Sequence, residues 1–313
     1  MKIIQSIILG LIQGATEFLP VSSSGHLVIF PYFFGWGNPS LPFIVTVHFA
    51  TLISVATVFY RDIYRILKAV VLGIFIKAKR ESDNFKLGIL LVIASIPAAI
   101  AGFLLDDYIE NLFSKPIAAG GFLLITAFFL WIGEFRGKRI EEGLKRGDNS
   151  IENKTITGRE NMIDTLGYKK RTIGGKINNG SIGFNAAIAI ITGIGQALAI
   201  LPGISRSGTT ISFARFFGIK RDEAVRFSFL LSVPIIFGSF IFELYHSLET
   251  ISVGGSQAWQ NLAAGFISAY IAGLFAVKFI VFLTRKRSLN MFAVYCICMA
   301  LIVFIFYFVN KII

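Results

Sequence analysis

The chain is poor in the residues that mark soluble, disulfide-rich or metal-binding proteins. Charged residues make up 15% of its 313 residues, and there are only two cysteines and three histidines. A soluble protein of this length would carry about a quarter charged residues. Cys296 and Cys298 lie two positions apart on a predicted helix and do not face each other, so neither a disulfide nor a cysteine metal site is indicated. An ordinary soluble domain is excluded.

Acidic residues are scarce too, and the basic excess has a pattern. The chain has 30 Lys and Arg against 18 Asp and Glu. Basic residues cluster in four connections between apolar segments: 61–86, 136–176, 215–226 and 285–287. The connections between those clusters are neutral or acidic: 106–115 and 243–261. This alternation is the positive-inside pattern of membrane proteins, and it argues against nucleic acid as a partner.

The chain is rich in long apolar segments, and 55% of its residues are hydrophobic. Six runs are long enough to cross a hydrocarbon core of about 30 Å: about 41–60, 87–105, 117–135, 226–243, 261–283 and 289–310. The sequence therefore predicts an all-α polytopic membrane protein of the plasma or inner membrane. Gln13 and Glu17 break the apolar start, which is not interpreted as a signal peptide.

Two polar strings interrupt the apolar chain in the same way. Residues 13–26 read QGATEFLPVSSSGH, and residues 196–210 read QALAILPGISRSGTT. Each string leads from an apolar arm through Leu-Pro into a Ser-Gly turn and a second apolar arm, which indicates a diverged internal duplication. The arms of about ten residues span roughly half a bilayer. Residues 3–34 and 185–217 are therefore predicted to be re-entrant hairpins.

The loop charges predict that the two halves are inverted. With the basic connections in the cytoplasm, the first hairpin enters from outside and the second from the cytoplasm. Residues 1–135 and 184–313 then each hold a hairpin and three transmembrane helices, and they form an inverted-topology repeat. Residues 136–183 are predicted to be a basic cytoplasmic linker without a helical period. Because irregular backbone at mid-depth must face protein or water, the two tips are expected to face each other or a cavity rather than lipid.

The residue types in the two strings predict an anion site with reactive groups. Gln13 and Glu17 share one helix face, and a carboxylate inside a membrane segment usually marks function. Two serine-capped helix N-termini and Arg206 would bind phosphate. Such an inventory suits phosphoryl transfer. The expected site residues are Gln13, Glu17, Ser22, Ser23, Ser24, Gly25, His26, Ser205, Arg206, Ser207, Gly208 and Thr209.

These strings resemble the two signature motifs of the undecaprenyl-diphosphatase family of the bacitracin-resistance type. Gln13-xxx-Glu17 with residues 18–26 matches the first motif and residues 201–208, LPGISRSG, match the second. The resemblance covers nearly the whole chain. It implies hydrolysis of undecaprenyl diphosphate to the monophosphate lipid carrier of cell-wall assembly, with a divalent cation such as Mg²⁺ or Ca²⁺.

The resemblance also implies roles by position. Ser23 corresponds to the favoured nucleophile, Glu17 to the acidic residue of metal binding or proton transfer, and Arg206 to the arginine that binds the pyrophosphate. His26 stays open as nucleophile or acid–base group. Gln13 stands where many members have Glu, so a metal at Glu17 is expected to depend more on diphosphate oxygens and water.

Two other functions remain open at this point. The type-2 phosphatidic acid phosphatase superfamily shares a Ser-Gly-His string, but only 23 residues precede Ser24 for its upstream motif, and Ser212 stands where it places a histidine. A lipid or small-molecule transporter or flippase would use the same inverted repeats. The expected partners are undecaprenyl diphosphate and the membrane, with a homodimer left open. His48, Glu243 and His246 are interpreted as interfacial or loop residues.

Overall fold

The computed structural model describes residues 1–112, 115–145, 183–253, 255–284 and 286–312, with the backbone alone at 106–111, 145 and 243–253. Eleven α-helices lie in these residues. In chain order they are α1 Ile3–Phe18, α2 Ser23–Phe33, α3 Leu41–Val58, α4 Tyr60–Phe75, α5 Asp83–Leu112, α6 Pro116–Lys145, α7 Ala186–Leu198, α8 Arg206–Phe216, α9 Arg221–Val253, α10 Gly255–Thr284 and α11 Asn290–Ile312.

Six of these helices are long and apolar enough to cross a membrane. The candidate spans lie in α3, α5, α6, α9, α10 and α11. Each corresponds to one predicted crossing. Large apolar side chains such as Phe103, Phe275 and Ile305 project outward from them, as expected for helices surrounded by lipid. The structure therefore confirms an all-helical polytopic membrane protein.

Both polar strings end one short helix and start another. Helix α1 ends at Phe18, and Leu19 is extended with ψ of 140° because it precedes Pro20. Ser22 then caps α2 by accepting a hydrogen bond from the Gly25 N–H. Ser205 caps α8 in the same way, from the Gly208 N–H. The two strings thus have similar local structures, and α1 packs on α2 as α7 packs on α8.

Small residues let the first helix of each pair approach a long helix closely. A Cβ added at Gly14 of α1 would lie 2.3 Å from the Ala269 carbonyl oxygen of α10. A Cβ at Gly193 of α7 would lie 2.3 Å from the Ala94 carbonyl oxygen of α5. Helix association in lipid depends on such contacts, because burial of apolar surface adds little there. The two polar strings are therefore held in place by backbone-to-backbone packing.

Helix α6 continues to Lys145, ten residues past the end of its predicted crossing. The prediction that residues from 136 onward lack a helical period is thus wrong for 136–145. Ion pairs hold this polar extension: Lys138 lies 3.8 Å from Glu142, and Arg215 of α8 binds Glu141. Contacts between distant segments stabilise the helix. Linker residues 146–182 lie outside the described residues.

Helix α4 was not predicted, since its basic residues were interpreted as a connection. Helix α3 ends at Val58 and α4 begins at Tyr60. On one face of α4, Ile66 is buried and Gly73 contacts α5, where an added Cβ would lie 2.3 Å from the Phe85 ring. Arginine and lysine residues interrupt the apolar period of this helix. For this reason the segment was interpreted as one of the basic connections. Helices α5 and α9 also run beyond their predicted ends.

Candidate active site

Glu17, near the end of α1, lies at the centre of a polar cluster built from both strings. Its Oε2 accepts hydrogen bonds from Ser23 Oγ at 2.5 Å and from Gln13 Nε2 at 2.7 Å. Its Oε1 accepts from Arg206 Nη2 at 2.5 Å. The Glu17 residue is only 6% exposed. A buried carboxylate needs such compensation, because an unpaired charge in this environment is very costly.

Ser23 and Arg206 occupy equivalent positions in the duplication. Ser23 is the first residue of α2, and Arg206 is the first residue of α8. Each follows its capping serine, so each lies where a helix begins and where its unpaired N–H groups carry partial positive charge. The same backbone position thus supplies a hydroxyl in one half and a guanidinium in the other, and both reach the Glu17 carboxylate.

The two turns touch each other directly. Ser22 Oγ accepts hydrogen bonds from the backbone N–H of Gly25 and of Gly203, each at 3.2 Å. A Cβ added at Gly25 would lie 3.0 Å from Gly203 Cα, so a larger residue there would have to displace the second turn slightly. Thr126 of α6 donates to the Gly203 carbonyl and accepts from the Ser205 N–H, both at 2.9 Å. Gly203 has a φ of 110°, which favours glycine.

Most contacts of the remaining serines and Thr209 lie within their own turns, but Ser207 Oγ also donates to the Leu19 carbonyl of the other turn at 3.1 Å. Ser24 Oγ lies 3.3 Å from Ser22 Oγ, and Ser205 Oγ lies 3.2 Å from Ser207 Oγ. Thr209 Oγ1 donates to the Ser205 carbonyl at 2.9 Å. These contacts fix the start of each helix, where backbone N–H groups remain available to an anion.

Arg206 has capacity left for such an anion. While Nη2 holds Glu17, Nη1 is buried and has no partner among the described residues. A guanidinium can bind a carboxylate and a phosphate oxygen at the same time because its donors fan out in one plane. An unpaired buried donor beside two helix N-termini favours the binding of an anion.

His26 is buried beside this cluster but is engaged elsewhere. Its Nδ1 lies 2.7 Å from the Ser22 carbonyl oxygen, which only accepts, so we assign the proton to Nδ1. Nε2 then accepts from the Tyr295 hydroxyl at 2.7 Å, and the two rings stack. Both nitrogens therefore bind the protein rather than Glu17 or Ser23. The contacts of His26 tie α2 to α11.

His48 of α3 is a site residue that the sequence interpretation missed. Its Nε2 lies 3.6 Å from Glu17 Oε2, and its Nδ1 lies 2.8 Å from the Ile44 carbonyl oxygen. The sequence did not predict this approach to Glu17, and the interpretation of His48 as a hydrogen-bonded interfacial residue stays a prediction. The orientation of α3 toward α1 decides which face of α3 meets Glu17, and no local sequence signal reports it. The side chains of Glu243 and His246 lie outside the described residues.

The protein offers few side chains that could bind the expected divalent cation. Within the part of the chain that the structure describes, there is no group of three or more His, Cys, Asp or Glu that could hold a metal ion. Glu17 Oε2 already accepts from Ser23 and Gln13. Mg²⁺ and Ca²⁺ take about six or more oxygen ligands. These side chains alone do not fit a protein-held metal centre.

The fold and the site together define a polytopic membrane protein with a buried polar cluster in which Ser23 and Arg206 bind Glu17. Residues 6–302 match the family described as "Bacitracin resistance protein BacA". The chain is 35% identical to an undecaprenyl-diphosphatase of Chlorobium phaeobacteroides over 94% of this chain and 93% of that one. It is 37% identical to an undecaprenyl-diphosphatase of Halothermothrix orenii over 95% of both chains. The chain belongs to the bacitracin resistance protein family.

Proposed function

We propose that the protein is an integral membrane phosphatase that hydrolyses undecaprenyl diphosphate to undecaprenyl phosphate and inorganic phosphate. This reaction recycles the lipid carrier for cell-wall synthesis and confers bacitracin resistance. The relatives named undecaprenyl-diphosphatase support the substrate. The observation that carries the proposal is the contact of Ser23 and Arg206 with the same buried Glu17 carboxylate.

In the proposed reaction, Ser23 Oγ attacks the terminal phosphorus of the diphosphate and gives its proton to Glu17. The bond from that phosphorus to the bridging oxygen breaks, and Glu17 passes its proton to that oxygen as undecaprenyl phosphate leaves, which restores the Glu17 carboxylate. Water then attacks the phosphoserine and transfers a proton by way of Glu17, so that phosphate is released and Ser23 is restored. The 2.5 Å hydrogen bond from Ser23 to Glu17 supports this pairing of nucleophile and base.

Arg206 and the helix N-termini are proposed to bind the diphosphate. Arg206 Nη1 lacks a protein partner among the described residues and would take a phosphate oxygen. The N–H groups at the starts of α2 and α8 would take others, with Ser22, Ser24, Gly25, Ser205, Ser207, Gly208 and Thr209 shaping the turns. Positive charge on the equatorial oxygens stabilises the transition state of phosphoryl transfer. His26 is proposed as a positioning residue, because its nitrogens contact Ser22 and Tyr295.

The divalent cation is proposed to enter with the substrate. The first motif has Gln13 where many members of the family have Glu, so it holds one carboxylate fewer. The remaining carboxylate, Glu17, already accepts hydrogen bonds from three donors. Diphosphate oxygens and water would then be the main ligands, which suits Mg²⁺. A bound cation would neutralise charge on the diphosphate.

We also propose that the protein is an inverted repeat of residues 1–135 and 184–313, with re-entrant hairpins at 3–34 and 185–217. The helix contacts support this. If α1, α3, α5 and α6 correspond to α7, α9, α10 and α11, the α1–α10 contact is repeated as α5–α7, and α3–α10 as α5–α9. The α3–α9 and α6–α11 contacts correspond to themselves, as a two-fold relation requires.

Phosphate release from purified protein in detergent, with undecaprenyl diphosphate and Mg²⁺, tests the function. Wild-type protein is expected to release phosphate, and Glu17→Ala is expected not to. Lys286→Gln, a surface change, is the matched control and should behave as wild type. No release by wild type, together with movement of the lipid across vesicles, would favour a transporter instead. Cross-linking in membranes tests whether the protein forms a homodimer.

A further inference from the structure

Helix α4 carries three stripes of side chains with different surroundings. Ile66 and Gly73 belong to the stripe that packs on α5. A second stripe is apolar and exposed: Tyr64, Leu67, Val71, Ile74 and Phe75. A third stripe is basic and contains Arg65 and Lys68, which are both exposed. A helix with an exposed apolar stripe beside a basic one is typical of helices that lie in the membrane interface.

The basic stripe lines a cavity of about 220 Å³ between α4 and the start of α5. The polar lining consists of Arg65, Lys68, Lys79, Ser82 and Asn84. Ser82 Oγ accepts a hydrogen bond from the Phe85 N–H at 3.3 Å and so caps α5. The first turn of α5, with its partial positive charge, therefore forms one wall of the cavity.

Two neighbouring cations have partners, whereas three cations that line the cavity have no ion pair among the described residues. Arg80 donates to the last carbonyl groups of α4, and Lys86 lies 3.1 Å from Glu81. Among the described residues, three lining cations have no carboxylate partner: Arg65, Lys68 and Lys79. Three uncompensated charges around one cavity favour an anion.

We propose that this cavity binds the phosphate headgroup of an anionic phospholipid, with the acyl chains along the exposed apolar stripe of α4. Basic side chains at a membrane surface attract anionic headgroups, and a helix N-terminus adds N–H donors. The apolar stripe favours a lipid over a free phosphate ion, because only the lipid has chains that can cover it. The site is separate from Glu17 and does not depend on the phosphatase activity.

Native mass spectrometry of the full chain, purified in a neutral detergent, tests the proposal. Affinities for phosphatidylglycerol and phosphatidylcholine would be compared in wild type and in the triple variant Arg65→Gln, Lys68→Gln, Lys79→Gln. A second triple variant removes the same charge from other exposed positions near the ends of α6 and α10: Lys138→Gln, Lys286→Gln and Arg287→Gln. Phosphate release and the thermal unfolding midpoint report whether each variant is folded.

The α4 variant is expected to bind phosphatidylglycerol roughly 100-fold more weakly than wild type, since three basic side chains near the headgroup are removed together. The control variant is expected to keep wild-type affinity, and both should keep their phosphatase activity. Equal losses in the two triple variants would overturn the proposal, as would an affinity for phosphatidylcholine equal to that for phosphatidylglycerol. Displacement of the lipid by millimolar inorganic phosphate would show an ion site and overturn the lipid assignment.

Discussion

Ser22 and Ser23 of the first turn offer the sharpest test of the site, because their hydroxyl groups make different hydrogen bonds. Ser22 Oγ accepts from two buried backbone N–H groups, those of Gly25 and Gly203. Ser23 Oγ donates to Glu17. Ser22→Ala is therefore expected to be mainly a stability variant and Ser23→Ala mainly an activity variant.

The magnitudes follow from these contacts. Loss of a capping serine costs about 1 kcal/mol, and leaving the buried Gly203 N–H without a partner costs about 1–3 kcal/mol more. Ser22→Ala should thus lower the free energy of unfolding by about 2–4 kcal/mol but leave most activity in the folded fraction. Ser23→Ala removes the attacking oxygen, so phosphate release should fall by roughly 1,000-fold or more.

The assay pairs thermal unfolding in detergent with initial rates of phosphate release from undecaprenyl diphosphate. Ser24→Ala is the matched control, because the Ser24 hydroxyl contacts Ser22 Oγ at 3.3 Å and is only half-buried. Ser24→Ala should change both the unfolding midpoint and the initial rate only slightly. Equal loss of turnover in the Ser22 and Ser23 variants, with unchanged unfolding of the former, would refute the assigned roles.

Substitutions at three other positions probe the surroundings of Glu17. Arg206→Lys should lower kcat/KM by roughly 100-fold, because a lysine cannot hold Glu17 and a phosphate with one planar fork; wild-type kinetics would contradict this. His48→Ala should lower kcat more than His48→Gln, which keeps a polar side chain where His48 Nε2 lies 3.6 Å from Glu17 Oε2, and equal rates in the two variants would argue against a role at Glu17. Gly14→Val should lower both thermal stability and phosphate release, because its Cβ would lie 2.3 Å from the Ala269 carbonyl; an unchanged unfolding midpoint would rule out that close contact.

Local signals in the sequence predict the breaks in the short helices. Pro20 forces Leu19 out of the helical region, and Ser22 and Ser205 cap the helices that follow. The spacing of Gln13 and Glu17 likewise places both on one face, where their side chains meet at 2.7 Å. Each of these features depends on residues within about one helical turn, which is why the sequence alone suffices.

Features that depend on packing between distant segments cannot be predicted from local sequence patterns. His48 reaches Glu17 because of the way α3 rotates against α1, and a lone histidine in an apolar run carries no mark of that rotation. The extension of α6 depends on Arg215, more than 70 positions away from its partner Glu141. The engagement of His26 by Tyr295 of α11 likewise follows only from the assembled helices.

The stereochemical course at phosphorus tests most directly whether Ser23 attacks the diphosphate. Hydrolysis of a diphosphate whose terminal phosphorus is chiral, labelled with sulfur and oxygen isotopes, gives either retention or inversion of configuration. Two successive displacements, first by Ser23 and then by water, predict retention. Inversion would mean a single attack by water and would contradict the role of Ser23 as nucleophile.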